Sequence, residues 1–217
     1  MCVRAIIFDM DGVLIDAKEW HYDALNEALG LFGYGISRHD HETRFDGLPT
    51  KTKLTAISER ASLPTALHGF ISEMKQRYTM RLVAQRLEPN EIHLSAVRLL
   101  KEEGYTLGVA SNSIRATIHA MMEQAGLAPY LDFMLSNEDV THPKPSPQIY
   151  LKAMHLSRVS PAECLVLEDN PFGWRAATDA GANLLKIRTV HDVTYQNIRY
   201  RIDSIEASSR GYAARAA

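Results

Sequence analysis

The stretch AIIFDMDGVLID, Ala5 to Asp16, constrains the fold of this chain more than any other. Ala5 to Phe8 is an uncharged apolar run that stops abruptly at acid. So short a run, with no polar face, predicts a strand buried in a parallel sheet rather than a helix. Asp9 and Asp11 follow, one residue apart, and Gly12 lets the chain turn sharply away. Side chains at the carboxyl end of a parallel strand face the crevice where ligands bind. Taken alone, the stretch fits an ordinary strand and solvated turn equally well, so the rest of the chain must decide.

Downstream the period changes. Trp20, Ala24, Leu25, Ala28, Leu29 and Phe32 recur at helical spacing and predict a helix from Asp16 to Leu31, stopped by a cluster of glycines. The polar stretch Ser37 to Phe45 and the turn Gly47-Leu48-Pro49-Thr50 come next, with Thr50 as candidate cap of a helix starting at Lys51. Another helix opens at Pro64-Thr65, and its Phe70, Met74, Tyr78 stripe reads as core. Residues 17–86 therefore read as a helical insert. Strand and helix then alternate. Strands are predicted at Tyr105–Ala110, Phe133–Leu135, Cys164–Leu167 and Asn183–Ile187, and helices at Glu91–Glu103, Ile114–Ala125, Gln148–His155 and Arg175–Ala180. This order predicts an α/β fold with a parallel sheet and right-handed crossovers. Residues 1–16 and 87–207 would form the core, and the tail from Ser208 to Ala217, lacking an apolar face, is expected to be loose.

With 217 residues, the chain can build one good core with a small insert. A formal net charge of -2 gives no basic excess for nucleic acid or an anionic membrane surface. Cys2 and Cys164, far apart, make neither a disulfide framework nor a paired zinc motif, and no apolar run approaches a membrane span. These features lead to the expectation of a cytoplasmic monomer acting on a small molecule.

Three strands end in polar clusters, Asp9-Met10-Asp11, Ser111-Asn112-Ser113 and Glu168-Asp169, and Lys144 lies in the proline-rich loop between the last two. In an open parallel sheet these ends converge on one crevice. Acidic oxygens without thiol or imidazole suit a hard cation, with Mg²⁺ the natural candidate, and Asp9 and Asp169 suffice to hold it. Lys144 is a point charge for phosphate, and Ser111 at a strand-to-helix junction offers a hydroxyl beside helix N–H donors. A carboxylate can attack phosphorus and form an aspartyl phosphate. A dianionic phosphate about 4 Å from a carboxylate is repelled by on the order of 8 kcal/mol at an effective dielectric near 20, which a divalent cation and a lysine can offset. A second acid must protonate the leaving oxygen and later deprotonate water, and Asp11 is placed for that.

The motifs DMDGVLID, VASNS, HPKPSPQIY and VLEDN, in this order, resemble those of the haloacid dehalogenase superfamily, and the insert resembles the helical cap of its phosphoglucomutase-like branch. The resemblance spans Ala5 to about Ile187. It implies a Rossmann-like core under a helical-bundle cap and an Mg²⁺-dependent phosphatase acting on a small phosphate monoester such as a sugar phosphate. Asp9 would be nucleophile and metal ligand. Asp11 would be acid/base, with its carbonyl on the metal. Ser111, Asn112 and Lys144 would bind phosphate. Asp169 would ligate the metal with Glu168 assisting. The family's dehalogenases lack an acid at Asp11, which points to phosphate esters. A β-phosphoglucomutase-like mutase is the alternative, although Ala17, Thr50 and Ile114 depart from its pattern. A catalytically silent phospho-ligand-binding protein is a further one. In the cap, His21 could face the site or solvent, and Gly47, Thr50 and Lys51, with Lys53 and Arg44 nearby, are candidates for substrate selection. His39, His41 and Glu42 could suggest a second metal cluster, but the hard oxygen donors of the main site and a polar loop setting argue against it.

Overall fold

A computed structural model describes residues 2–215, with side chains through 208. The predicted strand is β1, Ala5–Phe8, fully buried. Strands β2 (Thr106–Ala110), β3 (Phe133–Leu135), β4 (Cys164–Glu168) and β5 (Asn183–Lys186) complete a five-stranded sheet ordered β3-β2-β1-β4-β5, parallel throughout. β1 is central because it is apolar on both faces. Ile6 and Phe8 join one apolar cluster, and Ala5 and Ile7 the other. Phe8 pairs with Val109 of β2 and Leu167 of β4, so the residues following all three strands emerge side by side.

Between β1 and β2 the described chain is helical: α1 (Lys18–Gly30), the single turn α2 (Arg38–Asp40), α3 (Thr50–Ala61), α4 (His68–Arg86) and α5 (Glu91–Glu102). Leu25, Leu29, Phe45, Leu54, Ile57 and Ile71 give this insert a core of its own. After β2 come α6 (Arg115–Gln124), α7 (Gln148–Ser157), α8 (Pro171–Asp179) and α9 (Tyr195–Arg215). Helices α7 and α8 cover one face of the sheet, and α5, α6 and α9 the other.

Several expectations shift. Thr50 is the first residue of α3, and extended Pro49 occupies the cap position. Helix α8 begins four residues before the predicted Arg175, since Pro171 with its fixed φ opens it and the Asn170 side chain caps the Phe172 N–H. Phe70 is 50% exposed rather than core, in edge contact with Phe32, and Ile71 points inward instead. Only the first position of the stripe differs: the face of α4 that meets the cap core runs through Ile71, Met74 and Tyr78. No helix was predicted past Ile187, yet α9 docks Ile198, Ile202 and Ile205 on the sheet. Once nucleated by that packing, the helix propagates cheaply through an Ser- and Ala-containing segment to Arg215, where a loose tail was expected. Residues 216 and 217 of that expected tail lie outside the described residues.

One buried histidine ties α5 to the segments that follow β1 and β5. His93 Nδ1 lies 3.1 Å from the Leu14 carbonyl and Nε2 lies 2.8 Å from the Val190 carbonyl. Burial holds its pKa below the ordinary 6.5 despite those two carbonyls. His93→Ala is expected to cost about 1–3 kcal/mol by chemical denaturation, since the neutral imidazole has one N–H and the buried carbonyl that accepts it is left without a donor. The unfolded chain takes up the proton first, so in the wild type this residue's contribution should be lost as pH falls below about 6.5.

Candidate active site

The carboxyl ends of β1, β2 and β4 open into a cavity of about 550 Å³ whose walls come from both the sheet and the helical insert. Asp9 follows β1 and is almost fully buried, Ser111 follows β2, and Glu168 ends β4. Gly12 adopts φ 82°, and a Cβ there would stand 2.1 Å from Asp169 Oδ2. The turn after the two aspartates thus demands glycine for its conformation and for the carboxylate that crowds it.

Lys144 reaches this floor from the loop ahead of α7. Its Nζ lies 2.7 Å from Asp9 Oδ1, 2.6 Å from Glu168 Oε1 and 2.7 Å from the Ala110 carbonyl, which uses all three ammonium hydrogens. Tyr150 donates to Glu168 Oε1 at 2.7 Å. Burial, then the neighbouring Glu168 carboxylate, push the Asp9 pKa well above the usual carboxylate value, with Lys144 opposing. Burial works against the Lys144 charge as well, but Asp9 and Glu168 outweigh it and raise its pKa.

Asp9, Glu168 and Asp169 each bring an oxygen within 4.8 Å of the others. Burial, with Glu168 and Asp46 adding, lifts Asp169 to about 6, although Lys18 Nζ lies 2.6 Å from its Oδ2. Asp169 Oδ1 is buried without a hydrogen-bond partner. Three hard oxygen donors held together against their own repulsion, with one orphaned, are short of positive charge and fit a divalent cation such as Mg²⁺.

Asp11 faces the insert. His21 Nε2 lies 2.9 Å from its Oδ1, Ser113 donates to Oδ2 at 2.9 Å, and Lys75 Nζ lies 3.1 Å from His21 Nδ1. Burial opposes the Asp11 charge, but His21 and Ser113 prevail and its pKa is lowered. Burial lowers the His21 pKa, with Asp11 opposing. Of the sequence alternatives for His21, the structure takes the one that faces the site.

Around these groups the insert touches the sheet directly. Asn112 Nδ2 donates to the Gly47 carbonyl at 2.9 Å, and its Oδ1 accepts from Lys144 N at 3.0 Å. Asn170 Nδ2 donates to Asp46 Oδ2 at 3.2 Å, and Lys18 Nζ lies 3.6 Å from the same oxygen. Thr50, Lys51 and Lys53 also line the cavity, Lys51 exposed and Lys53 buried, whereas exposed Arg44 pairs with Asp40 away from it. His39 and Glu42 are exposed, and His41 is buried beside the Tyr22 ring, so these three do not converge. Sequence reasoning missed Lys18, Asp46, Lys75, Ser113 and Asn170 as site residues. Ser113 and Asn170 sat inside quoted motifs and could have been named. Lys18 and Lys75 depend on how α1 and α4 lean over the sheet, and Asp46 on where the turn before α3 falls.

The model of the haloacid dehalogenase-like hydrolase family matches residues 6–187. The chain is 27% identical over 179 residues to the phosphorylated carbohydrates phosphatase of Thermotoga maritima, covering 82% of each. It is 29% identical over 187 residues to the fructose-1-phosphate phosphatase YqaB of Escherichia coli, covering 84% of this chain and 95% of that protein. Its fold is similar to that of β-phosphoglucomutase from Clostridium difficile, with a TM-score of 0.81 at 21% identity over 94% of this chain and 99% of the other. Among the described residues, no helix is long and apolar enough to cross a membrane.

Proposed function

Because the chain belongs to the haloacid dehalogenase-like hydrolases, we propose that it is an Mg²⁺-dependent phosphatase that hydrolyses a small sugar phosphate by way of phosphorylated Asp9. The observation that carries this reading is the Asp9 carboxylate on the cavity floor, with the Lys144 ammonium 2.7 Å from one oxygen and the supported acid Asp11 two residues on. The names of the two phosphatase relatives support the substrate class. Asp9, Asp169 and the Asp11 carbonyl, with Glu168 assisting, would hold the metal, which supplies positive charge against the phosphoryl oxygens.

The geometry supports the following steps for the chain's own residues. One Asp9 oxygen attacks phosphorus in line with the leaving oxygen. Lys144, Ser111 and Asn112 steady the phosphoryl group, since developing charge is best met by donors already in place. Asp11 takes up a proton as the anionic phosphate arrives beside it, gives that proton to the leaving oxygen, and recovers one from the water that attacks phospho-Asp9. His21, braced by Lys75, positions Asp11 and governs its protonation. On this reading residues 1–16 and 87–207 do the chemistry, and 17–86 form a cap whose Gly47, Thr50 and Lys51 meet the sugar. Ala17, which offers no hydroxyl beside Asp16, supports water rather than a second sugar hydroxyl as the acceptor.

The test is phosphate release across a panel of sugar phosphates with Mg²⁺. Release from at least one member is expected. Isomerisation without free phosphate would favour the mutase, and neither outcome with any member would leave only a silent binder. Exhaustive chelation is expected to stop release and added Mg²⁺ to restore it, while release that survives chelation would contradict the metal assignment.

A further inference from the structure

Lys53 has no counterpart charge at hand. It sits in the first turn of α3, one turn after Thr50 and on the same face, and both line the cavity. Only 7% of it is exposed, yet among the described residues no carboxylate lies within 4.0 Å of its ammonium and no hydrogen bond reaches it. Asp46 and Asp11 act on it from farther off. Burial lowers its pKa to about 8, which still leaves it charged at neutral pH. A buried, unpaired charge is costly, and proteins pair such groups unless a ligand does so.

A second donor on the same wall is also unspent. Gln76 of α4 lines the cavity, and its Oε1 accepts from Thr117 Oγ1 at 3.0 Å. The other end of that amide, Nε2, is buried without a partner. Lys75 beside it has its own acceptor in His21. The insert's wall therefore presents to the cavity a cation and an amide donor with no protein acceptor. Lys144 and Ser111 already serve the floor where phosphoryl transfer would occur.

We propose that Lys53 and Gln76 form a subsite for a second anionic group of the substrate, a carboxylate or a second phosphate. The substrate class is then a phosphate monoester that carries a further negative charge, for which a cavity of about 550 Å³ has room. This rests on the phosphatase reading above for the fate of the first phosphate.

Matched compounds test it: glucitol 6-phosphate against 6-phosphogluconate and glucitol 1,6-bisphosphate, with the glycerol, glycerate and bisphosphate analogues as a shorter series. With Mg²⁺, kcat/KM for free-phosphate release is expected to favour an anionic member by about tenfold or more. The carboxylate and bisphosphate arms distinguish the two sources. Lys53→Met should remove that preference and Lys53→Arg should keep it, circular dichroism reporting whether each variant is folded. A wild-type enzyme that uses neutral members as well as anionic ones, or a folded Lys53→Met that keeps the preference, would overturn the proposal. If no compound releases phosphate, the phosphatase reading fails separately. Calorimetric binding of the same compounds to Asp9→Asn then decides the subsite: tighter binding of an anionic member supports it, and equal or absent binding overturns it.

Discussion

Asp9→Asn is expected to abolish phosphate release, with kcat lowered by on the order of 10⁴–10⁶, the range seen when a covalent nucleophile is removed. The amide keeps the shape of the carboxylate but cannot attack phosphorus. It can still accept from Lys144, which lies 2.7 Å from Asp9 Oδ1 and is held as well by Glu168 and the Ala110 carbonyl. The variant should therefore fold and still bind substrate. Removing a carboxylate whose pKa burial and Glu168 push upward should leave stability unchanged or raised. Steady-state kinetics beside thermal unfolding checks both halves. A folded Asp9→Asn with near-normal turnover would rule out the covalent route.

Lys144→Met should have the largest effect on stability. The ammonium is 4% exposed and lies between Asp9 and Glu168, so its loss leaves two buried carboxylates facing each other. Breaking a buried pair from one side costs about 3–5 kcal/mol, which for a chain of this size lowers the melting temperature by on the order of 10 °C. Adding Glu168→Gln should restore part of that loss, because the penalty comes from uncompensated charge rather than from lost packing. Turnover should fall by about 10²–10³ as well, since the charge proposed to meet the phosphoryl oxygens is gone. Differential scanning calorimetry on the single and double variants separates the two effects. A Lys144→Met protein as stable as wild type would contradict the role given to that cluster.

The sheet and the floor of the site were legible in the sequence for the same reason. Ala5–Phe8 and Cys164–Leu167 are apolar on both faces, and such runs end in acid only where the chain leaves a buried sheet. That fixed Asp9, Glu168 and Asp169 at strand ends, and parallel order brought them together. The insert's share was less legible. Lys18, Asp46 and Lys75 stand among ordinary surface-type residues, and nothing local says which ammonium turns inward. Lys51 and Lys53 show the limit well. Two residues apart at the start of one helix, one is exposed at the rim and the other buried in the wall. Helix α9 went unread because its docking face is a single isoleucine per turn, Ile198, Ile202 and Ile205, among polar residues.

The most direct test of the account is to look for the phosphorylated enzyme itself. The protein, mixed with Mg²⁺ and a sugar phosphate that it turns over, would be quenched in acid within the first turnover and digested for mass spectrometry. The account predicts one added phosphoryl group on the peptide that carries Asp9, lost on treatment with hydroxylamine and absent from Asp9→Asn. Full turnover with no phosphorylated peptide at any quench time, or the phosphoryl group on another residue, would contradict it.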